Sequence, residues 1–83
     1  MMPTRELPTI LVVARSDAHH GWRQSLGERA NYLTMEGRVY GRRYDLILID
    51  LDPADLQRER TQLWLEQEVA TRLNPNGKLV YVR

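Results

Sequence analysis

Cysteine is absent from the 83 residues, which excludes disulfides and thiolate metal sites and fits a reducing, cytoplasmic setting. No apolar run approaches the ~20 residues that cross a bilayer. The opening Met1-Met2-Pro3-Thr4-Arg5-Glu6 also lacks the apolar stretch of a signal peptide, so a protein without membrane contact is expected. Charge of one sign is lacking too. Twelve Lys and Arg stand against eleven Asp and Glu, a formal net of +1, whereas non-specific nucleic-acid binding depends on many uncompensated cations. Lysine itself is scarce, with Lys78 the one lysine among those twelve. The usual backbone cradles for phosphate are missing as well. No Gly-x-Gly-x-x-Gly and no Gly-x-x-x-x-Gly-Lys-Ser/Thr occurs, so ATP hydrolysis by this chain alone is not expected. Ser, His and Asp fall in no nucleophile-elbow context. The sequence assigns no catalytic residue, metal site or cofactor.

What is present is a parallel α/β pattern. The segment Tyr44-Asp-Leu-Ile-Leu-Ile-Asp50-Leu-Asp52-Pro53 carries an unalternating apolar core, Leu46 to Ile49, as in a strand buried on both faces. Thr9 to Arg15 is a second such run, following an irregular lead-in over residues 1–8. Trp22, Leu26, Ala30 and Leu33 recur at helical spacing, so a helix is expected from about Ala18 to Leu33, with Ser16 and Asp17 at its start. Arg38-Val39-Tyr40 is compatible with a short edge strand. Pro53 suits the first turn of a long helix reaching Leu73. Asn74-Pro75-Asn76-Gly77 then reads as a stop before a final strand, Lys78 to Val82. Crossovers of this length imply right-handed βαβ units. The expected fold is a single α/β domain over residues 1–83, a small three-layer Rossmann-like unit, β-α-(β)-β-α-β, with a mainly parallel three- or four-stranded sheet.

In such a sheet the segments after two parallel strands meet at the C-terminal edge, the general ligand side. Ser16, Asp17, His19, His20, Asp50 and Asp52 converge there in principle, and carboxylates with a histidine suit a divalent cation or proton transfer. Helix capping explains Ser16, Asp17, Asp50 and Asp52 equally. His19 and His20, adjacent on a helix, point about 100° apart and do not readily share one metal. Arg38, Arg42 and Arg43, with Tyr40 interleaved, are candidates for phosphate or nucleic-acid contact, or are solvated turn residues. Trp22 and Trp64 read as core or interface anchors.

The Tyr44–Pro53 segment, the helix after it and Leu73-Asn-Pro75-Asn-Gly77-Lys-Leu-Val-Tyr-Val82 resemble the later strands of class I S-adenosylmethionine-dependent methyltransferases and their spermidine-synthase-like relatives. The same residues, with Trp64 and Thr71-Arg72-Leu73-Asn74-Pro75-Asn76-Gly77, are similar to the Walker B segment of phage terminase large-subunit ATPases. The first resemblance implies a cofactor loop near Arg15-Ser16-Asp17, which lacks its glycines. The second implies a phosphate loop served by Asp50 through Mg²⁺, and Leu51 separates the acidic pair. A receiver domain is a third echo, in Thr9–Val13 and Tyr44–Leu51, with Ala14 and Arg15 where that family needs acids.

Three echoes without catalytic equipment imply a degenerate α/β unit. The leading expectation is a small non-catalytic interaction protein, of phage or mobile-element origin, that binds a larger protein partner. A second reading is a nucleotide- or S-adenosylmethionine-binding, enzyme-like domain using Asp50 and Asp52. A third is a nucleic-acid binder. A homodimer is also expected, because Leu79 to Val82 form an uncharged strand with nothing in the sequence to shield it, with Trp64 or Tyr81 near the contact.

Overall fold

The computed structural model describes residues 8–39 and 41–82. It is an α/β unit with a four-stranded, all-parallel sheet in the order β2-β1-β3-β4. The strands are β1 (Ile10–Ala14), β2 (Ala30–Leu33), β3 (Tyr44–Asp50) and β4 (Leu73–Tyr81). The helices are α1 (Ser16–Leu26), α2 (Pro53–Leu56) and α3 (Glu59–Trp64). A π-helical turn over Leu65–Val69 and a 3₁₀ turn over Ala70–Arg72 carry α3 on toward β4.

The two apolar runs form the two central strands. Leu11, Val12, Val13 and Ala14 are all buried, because β1 lies between β2 and β3 and has helices on both sides. On one face Leu11, Val13, Ile47 and Ile49 pack with Leu51, Trp64, Leu65 and Val69. On the other, Val12, Ala14 and Ala30 pack with Ala18, Trp22 and Leu26 of α1. Helix cover on both faces of β3 was expected, and only one face has it fully. Ile47 and Ile49 are buried, whereas Leu46 and Leu48 are only partly buried. The cause is topological: α1 is the one helix packed on that face, and its cluster centres on β1 and β2.

Four local expectations are corrected. The helix expected to Leu33 stops at Leu26, where Gly27 takes a left-handed φ of 55° and donates its N–H to the Arg23 carbonyl, a conformation that suits glycine. Ala30–Leu33 is then an edge strand instead of a last helical turn. Arg38 and Val39 lie in the irregular connection from β2 to β3, not in a strand, and Tyr40 lies outside the described residues. The described residues of that connection form no helix, yet Met35 and Val39 pack into the larger core cluster, so loop side chains fill helix space.

The long helix after Pro53 is broken at Gln57–Arg58 into α2 and α3. Finally, Asn74–Gly77 is not a stop before a strand but part of β4. The register runs Tyr44↔Leu73 and then Leu46↔Lys78, so β4 advances five residues while β3 advances two, which is a bulge. Gly77 is required there, since a Cβ would lie 2.8 Å from both the Asp45 carbonyl oxygen and Leu73 Cδ1.

Candidate functional site

The loops after β1 and β3 meet at the C-terminal edge of the sheet, and there the side chains bond to one another. Arg15, directly after β1, donates from Nε to Asp55 Oδ2 at 2.8 Å and from Nη2 to Asp55 Oδ1 at 2.6 Å. This bidentate pair ties the β1–α1 corner to α2. Trp22 Nε1 donates to Asp50 Oδ2 at 2.8 Å, tying α1 to the end of β3. His19 Nε2 lies 2.9 Å from the Ala14 carbonyl and 3.3 Å from that of Leu33. Both partners are acceptors, so Nε2 carries the proton and joins the ends of β1 and β2.

Of the expected ligand set, then, His19 and Asp50 serve these ties. Ser16 and Asp17 are exposed in the first turn of α1, whose N-cap is Arg15. Asp52 is half-buried at the N-cap position of α2 and receives the Leu56 N–H on its main-chain carbonyl. Among the described residues no three His, Cys, Asp or Glu side chains gather as a metal site.

The arginines do not converge. Arg42 Nη2 donates to the Pro8 carbonyl at 2.8 Å, and its guanidinium sits 5.6 Å from the centre of the Tyr44 ring. Arg43 Nη1 reaches the Leu73 carbonyl at 3.4 Å. Arg38 lines a polar hollow together with Glu36, Glu68 and Arg72, where acids offset the cations. Trp64 is buried, with its indole N–H donated to the Gly37 carbonyl at 3.0 Å. Tyr81 is 53% exposed and borders a hollow with Leu56, Gln62, Leu65 and Glu66.

Two features were not singled out from the sequence. One is Asp55, buried on α2; the signal available was an acid two residues past a helix-starting proline, with an arginine closing the neighbouring strand. The other is the incomplete helix cover of one face of the sheet. With β4 last in the sheet order, Val80 is 42% exposed and Val82 44%, and both lie on the face whose helix, α1, packs mainly over β1 and β2.

Arg15 gives the edge a pH signature. Its hydrogen bonds, and then its charge, hold the Asp55 carboxyl below the ordinary carboxylate range against the opposing effect of burial. A carboxyl with a depressed folded pKa contributes stability that is complete above its unfolded pKa and is lost as pH falls toward the folded value. Resistance to urea should therefore fall as the pH drops below about 5. Asp55→Asn should be less stable at pH 7 and show a shallower slope across that window. An unchanged slope would show that the pair is broken in solution.

No helix among the described residues is long and apolar enough to cross a membrane. Compared with protein-family models, with curated proteins and with solved structures, the chain matches none.

Proposed function

We propose that this chain is a non-catalytic interaction protein that self-associates along β4 and, as that unit, binds a larger protein partner. The observation that carries the reading is the contrast between the two ends of the molecule's polar inventory. At the C-terminal edge, where α/β folds bind small ligands, Arg15, Asp55, Trp22, Asp50 and His19 bond internally. Along β4, four uncharged residues, Leu79 to Val82, sit at an open sheet edge with three of them largely exposed. An edge of this kind offers unpaired main-chain groups to another strand. A phage or mobile-element origin belongs to the same proposal and rests on the terminase-like segment alone.

Thermal shift tests the non-catalytic half of the reading. A ligand that binds the native state at 100 times its Kd stabilises by about 2.7 kcal/mol, roughly 10–20 °C for a domain of this size. We expect no such shift from S-adenosylmethionine, ATP or Mg²⁺ at millimolar concentration. A clear shift that Asp50→Asn abolishes would replace this reading with the nucleotide- or methyl-donor-binding one. Sedimentation of the intact protein tests the other half, with association above the 9.8 kDa monomer expected at high micromolar concentration.

A further inference from the structure

We infer that the occupant of the β4 edge is β4 of a second copy, paired antiparallel about a two-fold axis through Val80, so that two sheets join into one of eight strands. The inference rests on the self-association just proposed and adds its geometry.

Main-chain direction limits the choice. Val82 donates its N–H to the Ile49 carbonyl at 2.9 Å, so Val82 and Val80 turn their main-chain groups toward β3. The alternation of a strand then turns those of Leu79 and Tyr81 outward. A closed two-fold contact between edges is antiparallel, because parallel pairing places the two strands in inequivalent bonding positions. With the axis at Val80, Leu79 faces the second copy's Tyr81, and each such pair exchanges both main-chain bonds. Val80 faces its own counterpart in the closely spaced position between them, about 4.5 Å apart at Cα.

Charge selects this register over its neighbours. Lys78, Val80 and Val82 share the open face with Leu46, Leu48 and Asp50, since β3 and β4 pair Leu46↔Lys78 through Ile49↔Tyr81. In the Val80-centred arrangement, Lys78 of one copy lies in line with Val82 and Asp50 of the other. At about 4.8 Å per strand it stands ~9–10 Å from Asp50. A lysine stem spans that gap along the apolar valine and brings its ammonium near the carboxylate, as a further partner beside the Trp22 indole that Asp50 Oδ2 already accepts. This meeting of opposite charges occurs twice, once at each end of the seam. Shifting the axis to Leu79 puts Lys78 opposite Val80 and loses it.

On the other face, Leu79 of the second copy comes beside Tyr81 and the hollow bordered by Leu56 and Leu65. The net charge of +1 opposes association very little. About ten residues a side at ~30–40 Å² each, the density of standard interfaces, bury roughly 600–800 Å² in total. That is below the ~1,200–2,000 Å² of long-lived complexes, so dissociation on the order of tens of micromolar is expected.

The absence of cysteine makes the test direct. Val80→Cys introduces a single thiol pair at a Cα separation that a disulfide accepts, and mild oxidation of the full chain should give a covalent species of twice 9.8 kDa. Lys78→Cys and Val82→Cys should cross-link when mixed and far less when oxidised separately. Val80→Lys, which sets like charges on the axis, should leave monomer with unchanged circular dichroism. Lys78→Glu should weaken association about three- to tenfold. Wild-type protein that sediments only as monomer at several hundred micromolar overturns both the self-association and its geometry. Dimeric wild type in which Val80→Cys stays reduced and Val80→Lys still associates overturns the geometry alone.

Discussion

Trp64→Ala is expected to destabilise the protein by about 3–5 kcal/mol, the usual range for removing a large aromatic from a core. At 0.05–0.15 kcal/mol per residue, an 83-residue chain has roughly 4–12 kcal/mol in total, so the variant loses a large share of its stability. Trp64 is 8% exposed and packs in the cluster that holds Leu11, Val13, Leu33, Ile47 and Ile49. Its indole also donates to the Gly37 carbonyl at 3.0 Å. Gly37 belongs to the connection from β2 to β3, whose described residues form no helix or strand, so this bond and the packing of Met35 and Val39 hold the connection in place. Trp64→Phe keeps most of the packing and loses the bond, a difference of about 0.5–1.5 kcal/mol. Chemical denaturation followed by circular dichroism separates the two variants. A loss below about 1 kcal/mol for Trp64→Ala would mean that the connection does not rest on α3 in solution.

The fold class was legible because the informative signal was composition over several residues. Leu11 to Ala14 and Leu46 to Ile49 are continuous apolar runs, and runs of this kind have few stable places outside a parallel sheet. Strand β2 was not legible. Ala30 and Leu33 are its buried ends, and a four-residue strand with buried ends has the same spacing as one helical turn. Gly27 held the missing signal, since a glycine at positive φ commonly ends a helix. Asn74–Gly77 misled for the opposite reason. What the segment supplies is the missing Cβ of Gly77, at an irregularity in register that lies against Asp45, far away in sequence.

At the candidate site, the meeting of the loops after β1 and β3 followed from topology. The pairing of Arg15 with Asp55, 40 residues apart, has no local pattern and needed coordinates. The same holds for the indole of Trp22 on Asp50. A tryptophan at helical spacing announces burial of its ring and says nothing about where its N–H goes.

Alanine at Ile49 and at Leu48 should differ sharply, although the two residues are adjacent in one strand. Ile49 is 1% exposed beneath Trp64, Leu65 and Val69, so Ile49→Ala is expected to cost about 2–5 kcal/mol. Leu48 points to the opposite face, beside Val80 and partly buried against the cluster of Val12, Ala14 and Ala30. Full burial of a leucine is worth about 1.5–3 kcal/mol, and the partial burial of Leu48 sets the cost of Leu48→Ala at about 1–2 kcal/mol. Urea titrations at a few micromolar, below the concentration at which the β4 edges are expected to pair, measure both values on the monomer. Equal costs would show that the face carrying Leu48, Val80 and Val82 is closed in solution, leaving no apolar surface there for a partner. The expected inequality has a functional consequence. Joining two copies along β4 seals the edge but leaves this face open, and it doubles the exposed strip into one continuous surface across the two-fold axis. Under the proposed function, a larger partner that covers this strip would gain burial from both copies at once. Val80→Lys, by separating the copies and charging the strip, should therefore weaken binding of the larger partner more than Leu48→Ala does.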